Sequence, residues 1–262
     1  MLAETFIIMF KKYFFYFIII FLLCLTACIQ FKNNDEGIWF YTFSSKGTSS
    51  EYNLTPASFL CLQPDKNYTL DFGNFEYGQW DRNGDTIILS NTSGDRKALL
   101  IQSKTGSNVI LSTEPGVSCD FEAQPYSFKE IAAQPFSLQN NKWRIKASRK
   151  ESADEIRARL KNHCSFWKTY FTWAFDNNIN NIDVRSTPTP IKIYGNGFAL
   201  KPYDELPAEW KNYFFDSTDC KLASDVLENV FTHNDIAWGH TDNKYKMFIG
   251  AFEQLEQILN KK

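Results

Sequence analysis

Four clusters of turn-forming residues constrain this chain more than any other feature. Pro64-Asp65-Lys66-Asn67, Arg82-Asn83-Gly84-Asp85, Ser93-Gly94-Asp95 and Thr105-Gly106-Ser107 cut the first half into short runs rich in β-branched and aromatic residues. Such runs, at roughly ten-residue spacing between turns, predict a sandwich or a barrel. Strands are expected over Ile38–Phe43, Ser58–Leu62, Tyr68–Phe72, Phe75–Asp81, Thr86–Ser90, Ala98–Gln102 and Asn108–Leu111, with another near Val117–Phe121. Connections this tight pair each strand with the next, so the expected topology is an antiparallel up-and-down meander or barrel.

Three of these strands break the alternation that a half-solvated antiparallel sheet requires. Ile87–Leu89, Ala98–Ile101 and Val109–Leu111 are apolar at consecutive positions. The expectation is that the second half of the chain packs over their outer face. The alternative is that a few Ile and Leu side chains stand in water, which is common on protein surfaces.

Gly37-Ile38-Trp39 opens the first strand, and Phe75-Glu76-Tyr77-Gly78-Gln79-Trp80, followed by Thr86-Ile87-Ile88-Leu89-Ser90, repeats its Gly-x-Trp pattern. Together these resemble the lipocalin-like domains of many small bacterial lipoproteins, over about Gly37–Leu111. The resemblance implies a barrel plugged at one end by tryptophan and open to a ligand at the other. Trp39 and Trp80 are accordingly assigned to the barrel structure.

The N-terminal segment bears on location. An apolar stretch of 13 residues, Tyr13–Leu25, follows Lys11 and Lys12 and ends in small residues. A membrane-spanning helix needs about 20 apolar residues, whereas cations, a short apolar core and small residues are the parts of a secretory signal. The alternative is an uncleaved anchor that recruits Phe6–Phe10 across the two lysines. Leu25-Thr26-Ala27-Cys28 resembles the lipobox of bacterial lipoproteins. That resemblance implies that residues 1–27 are removed and that Cys28 takes a diacylglycerol, leaving residues 28–36 as a lipidated tether. More than one acyl chain is what stable anchoring takes. The body would lie outside the cytoplasm. Ile rather than Asp at position 29 implies the outer membrane rather than the inner, by the sorting rule of many Gram-negative lipoproteins.

Cys24 leaves with the signal and Cys28 takes lipid, so Cys61, Cys119, Cys164 and Cys220 remain. In an oxidising compartment four cysteines permit two disulfides. Their order favours Cys61–Cys119 and Cys164–Cys220, with four buried thiols as the alternative. The absence of a C-x-x-C pair argues against redox or zinc chemistry.

Residues Glu114–Ser137 carry three prolines and read as a connection, with a short helical turn at Phe128–Ala133 and a boundary near Pro135. The β-domain is thus expected over 37–135 and a second, α+β domain over 136–262. There Ser152-Ala153-Asp154-Glu155 is a capping box, opening a helix to about Phe175. Its first half should turn Arg157, Arg159 and Lys161 to solvent, while aromatics cover more than half of the second half, which predicts burial. Gly195-Asn196-Gly197 between Ile191–Tyr194 and Phe198–Leu200 is a hairpin signal. A helical turn is expected at Leu206–Trp210, a helix capped by Ser217 over Thr218–Phe231, and an amphipathic surface helix over Lys244–Asn260. The fold class is therefore α+β: an antiparallel up-and-down barrel, lipocalin-like, followed by a small domain of one long helix, a hairpin and two shorter helices.

Chemistry is sparse. His163 lies in the long helix beside Cys164, where a structural role is expected. His233, Asp235 and His240 share a loop, but their spacing matches no metal-ligand motif. Asp204, Glu205 and Glu209 form a carboxylate cluster of the kind that complements a short helix. No nucleophile elbow, H-E-x-x-H or phosphate loop occurs, and a net charge of −2 leaves no footprint for nucleic acid. No catalytic residue, cofactor or metal is assigned. The expected function is an envelope lipoprotein that binds a small apolar ligand in the barrel mouth, or a protein partner on the aromatic second half. Two alternatives stay open: an assembly component with a filled barrel, and an envelope hydrolase.

Overall fold

Eight strands close on themselves. In the computed structural model they are β1 (Gly37–Lys46), β2 (Phe59–Leu62), β3 (Asn67–Asp71), β4 (Phe75–Asn83), β5 (Thr86–Asn91), β6 (Arg96–Thr105), β7 (Asn108–Glu114) and β8 (Val117–Gln124). The structure is described for residues 35–46, 52, 54–55, 58–124, 135–179, 189–194, 197–234 and 243–261. Each strand pairs antiparallel with its successor, and β1 also pairs with β8 from Ile38↔Gln124 to Lys46↔Ser118. The turn chemistry explains the connectivity. Asn83 pairs with Thr86 across a two-residue turn, and Gly84 supplies the positive φ (56°) that such turns require. The expected up-and-down barrel is present, with all eight strands within a few residues of the positions read from the sequence.

Alternation divides the barrel into an inside and two kinds of outside. Leu60, Leu70, Ile87, Leu99, Val109 and Leu111 point inward and are buried. On β1–β3 several outward residues are buried as well: Ile38, Phe40, Phe59 and Cys61 join the apolar core of the helical layer. On β5–β7 the outward Ile88 and Ile110 are only half-buried and Leu100 is 45% exposed. This corrects the sequence expectation. A helical layer does cover one barrel face, but it lies on β1–β3, and the outward apolar residues of β5–β7 stay half-buried or exposed, as the alternative reading had it.

The helical layer comprises α1 (Leu138–Asn141) with a 3-10 turn at Lys142–Arg144, then α2 (Ala153–Asp176) and the hairpin β9 (Ile191–Tyr194) with β10 (Gly197–Leu200). It continues through α3 (Ala208–Asn212), α4 (Ser217–His233) and α5 (Lys244–Asn260). Both halves of the α2 capping box form: the Glu155 amide donates to Ser152 Oγ (3.3 Å) and the Ser152 amide to Glu155 Oε2 (2.8 Å). The α4 cap is Asp216 rather than Ser217; its carboxylate accepts from the amides of Thr218 and Asp219. Helices α2 and α5 pack along each other, with Phe171 stacked on Phe248 at 4.7 Å.

Two basic residues expected in solvent have structural partners instead. Arg157 donates to the carbonyls of Ile258, Leu259 and Lys261, where a cation complements the C-terminus of α5. Arg159 is paired with Glu151 at 2.8 Å and also donates to the Trp143 carbonyl.

Residues Glu36–Lys262 form one compact unit, and the contacts that join its layers include an aromatic cluster and an ion pair. Phe136, fully buried, meets Phe59 at 4.9 Å and Trp173 at 4.8 Å, and its carbonyl accepts from Thr69 Oγ1 (2.5 Å). Nearby, Arg144 forms an ion pair with Asp71 of β3, the two side chains being 2% and 5% exposed. The turn at 128–133 and the residues before Asp35 lie outside the described residues.

Breaking a buried pair strands a charge. Asp71→Ala is expected to lower the unfolding free energy by about 3–5 kcal/mol. Asp71→Leu combined with Arg144→Met should restore most of that loss, because apolar side chains of similar volume carry no desolvation cost. Urea titrations of the three proteins, followed by tryptophan fluorescence, check both statements; an Asp71→Ala protein as stable as wild type would contradict them.

Candidate functional site

Side chains fill the barrel interior. The end that carries the β2–β3, β4–β5 and β6–β7 turns is closed by two tryptophans. Trp39 is buried beneath the Lys104 ammonium, which lies 5.5 Å from the ring. Trp80 lies 3.8 Å from the Lys66 ammonium and donates its Nε1–H to the Gln63 carbonyl (2.9 Å). A cation over an indole face is a favourable electrostatic contact. At the opposite end Tyr52, from the β1–β2 connection, is 8% exposed and packs edge-on to Phe72 at 5.3 Å. The inward-facing Lys97 pairs with Glu76 at 2.5 Å, and its ammonium lies 5.1 Å from the Tyr52 ring. An eight-stranded barrel is just wide enough for side chains to fill it, and here they do.

A groove runs outside the barrel instead, between the outer face of β4–β5 and the start of the helical layer. It has three lobes that share lining residues. One of about 540 Å³ lies among Gln63, Asn67, Gln79, Thr92 and Leu138. A second of about 390 Å³ is walled by Phe75, Asn91, Arg144, Asn212 and Tyr213. A third, also about 390 Å³, runs along Lys142, Lys146, Arg149, Glu151 and Arg159. Tyr77 lines all three.

The sequence builds this groove by simple means. Phe75, Tyr77 and Gln79 alternate on β4 with the inward-facing Glu76 and Trp80, so they form one outward stripe. The Phe75 and Tyr77 rings lie 6.4 Å apart and tilted by 31°. Gly78, between Tyr77 and Gln79, is fixed by space: a Cβ there would stand 2.1 Å from the Ser90 carbonyl oxygen. The opposite wall is held by Arg144, which is paired with Asp71 and donates to Tyr213 Oη (3.2 Å) and Asn141 Oδ1 (3.3 Å).

The other candidates do not converge. Cys61, Cys119, Cys164 and Cys220 are all buried and unbridged, which corrects the expected pairings. Cys61 faces out of the barrel into the helical core and Cys119 faces into the lumen, so the barrel wall stands between their side chains. Burial pushes the Cys61 thiol up to about 12 and the Cys220 thiol to about 11, and raises Cys164 too. These are poor nucleophiles at neutral pH.

His233 ends α4 with its Nδ1 3.0 Å from the Asn229 carbonyl, while Asp235 and His240 lie outside the described residues. Glu205 is paired with Lys192 at 2.7 Å, Asp204 is exposed and Glu209 is buried. Among the described residues no cluster of His, Cys, Asp and Glu could hold a metal ion, and no helix is long and apolar enough to cross a membrane. Cys28 also lies outside the described residues. Comparison of the chain with known protein families, with curated proteins and with solved structures finds no match.

Sequence reasoning missed both the groove and the Asp71–Arg144 pair. The groove had a visible signal: two aromatics and a glutamine at alternate positions of one strand, on the face that should be wet. The ion pair had none, since its partners are 73 residues apart.

His163 has the structural setting expected of it. It is buried edge-on to Trp143 at 4.8 Å and Trp210 at 4.7 Å, with Nε2 3.3 Å from Thr189 Oγ1. Burial, with the Arg144 cation as a lesser cause, lowers its pKa to about 3. In the unfolded chain a histidine titrates near 6.5, so between about pH 6.5 and about pH 3 only the unfolded state takes up this proton. The stability that neutral His163 contributes is complete above that window and falls by about 1.4 kcal/mol per pH unit within it. His163→Phe should flatten that part of the pH dependence. Urea midpoints of both proteins at neutral and mildly acidic pH test this; identical slopes would count against it.

Proposed function

We propose that this protein is a lipid-anchored bacterial envelope protein that works as a binding module, with a lipocalin-like barrel as scaffold and the outer groove as its site. The observation that carries the reading is the contrast between a lumen packed with side chains and a three-lobed groove on the barrel surface. Ligand pockets combine a few placed polar groups with aromatic walls, and the groove around Tyr77 has both. The anchor rests on the lipobox-like Leu25-Thr26-Ala27-Cys28. It would hold the body outside the cytoplasm, at the outer membrane. Catalysis is not part of the proposal, because among the described residues the buried cysteines, His163 and the paired carboxylates do not converge as acid, base and nucleophile.

The second reading, an assembly component of the envelope with no small ligand, is favoured by the same filled lumen. Native mass spectrometry of the protein, purified gently from envelope extract, separates the two. The binding module should carry a discrete added mass that Tyr77→Ala loses, whereas bare protein at full occupancy would support the assembly role. For the anchor, Cys28→Ser is expected to abolish incorporation of labelled fatty acid and to release the protein from membranes; a variant that still takes label would refute it.

A further inference from the structure

The charges around the groove do not cancel. Each carboxylate that lines it is already paired: Glu76 with Lys97 at 2.5 Å, Glu151 with Arg159 at 2.8 Å and Glu155 with Arg149 at 2.5 Å. Asp71 neutralises Arg144 in the wall. Lys142 and Lys146, both exposed, have no ion-pair partner among the described residues. The groove therefore carries two uncompensated positive charges at the end beside α1 and none of the opposite sign.

The middle of the groove is neutral, aromatic and rich in uncommitted hydrogen-bonding groups. The side chains of Gln63, Gln79, Ser90 and Thr92 line it and make no hydrogen bond within the described protein. Tyr77 is half-buried and presents its ring beside Phe75.

From this arrangement we infer that the groove binds an acidic oligosaccharide. The inference rests on the binding-module reading and names its ligand class. Sugar rings offer an apolar face for Tyr77 and Phe75. Their hydroxyls both donate and accept, which matches primary amides and hydroxyls better than charged side chains do. A carboxylate or phosphate on the chain meets Lys142 and Lys146. Three connected lobes of about 540, 390 and 390 Å³ fit several linked sugars rather than one.

Competing occupants fit less well. A peptide recognised through its backbone needs a free strand edge, and the closed barrel offers none along the groove. A lipid tail needs an unbroken apolar trough, and the lobe of about 540 Å³ sets Gln63, Asn67, Gln79, Ser90 and Thr92 among its apolar surface.

The test uses the full-length protein in mild detergent and a panel of short uronate-, sialate- and phosphate-bearing oligosaccharides beside their neutral counterparts. Acidic members should bind, with affinity falling as salt rises. Lys142→Gln with Lys146→Gln should weaken binding about tenfold, equivalent to about 1.4 kcal/mol, and remove most of the salt dependence. Tyr77→Ala should abolish binding, and Tyr77→Phe should retain stacking and most of the affinity. Melting curves confirm that each variant is folded. The inference is overturned if no acidic member binds, if neutral counterparts bind equally well, or if binding is indifferent to both sets of variants. A mass adduct lost in Tyr77→Ala alongside a silent panel would sink the saccharide assignment while sparing the binding module.

Discussion

The placement of the helical layer depends on one buried ion pair, Asp71 with Arg144. Removing a carboxylate and a guanidinium from water costs several kcal/mol for each ion, so such a pair survives only with good geometry and further hydrogen bonds. Arg144 has both: it also donates to Tyr213 and Asn141, and its guanidinium carbon lies 5.3 Å from the Phe75 ring and 5.7 Å from that of Phe166. The pair contributes registry more than net stability. Aromatic packing around Phe136 would tolerate small slides of the helices over β1–β3, whereas an unpaired guanidinium in that seam would not. Because Arg144 belongs to the groove wall, the contact that fixes the layers also fixes the width of the site.

The eight strands, the α2 capping box and the amphipathic α5 were legible because each is written in local spacing. Turn clusters cut the strands, Ser152 and Glu155 sit three residues apart, and Phe248, Phe252, Leu255 and Leu259 share one helix face. Which barrel face is covered was not legible in the same way. Apolar character at consecutive positions pointed to β5–β7, yet it is Ile38, Phe40, Phe59, Cys61, Thr69 and Asp71 of β1–β3 that are buried on the outer face. On β3 the covered outward residues are Thr69 and Asp71, polar groups satisfied by Phe136 and Arg144 from far along the chain. Burial of a polar residue depends on its partner, and that partner cannot be read from the strand itself.

The Cys61–Cys119 pairing fails for a related reason. Order along the chain paired Cys61 with Cys119, but a strand residue belongs to one face or the other, and the period of two puts these thiols on opposite sides of the barrel wall. The Gly-x-Trp pattern was more informative than its length suggests. Trp80 contributes to the closed end of the lumen, while the glycine two positions before it lets β4 approach Ser90 of β5 more closely than any side chain would permit.

A filled lumen changes what the barrel is for. If the interior held the ligand, its side chains would have to serve packing and recognition together, and substitutions there would trade stability against affinity. In the binding module proposed above, recognition lies on the outer face of β4–β5, and the two demands fall on alternate residues of the same strand. Glu76 and Trp80 belong to the interior, whereas Phe75, Tyr77 and Gln79 meet the groove. The strand period thus separates the packing of the lumen from the chemistry of the outer face, although Phe75 also supports Arg144 and the helical core.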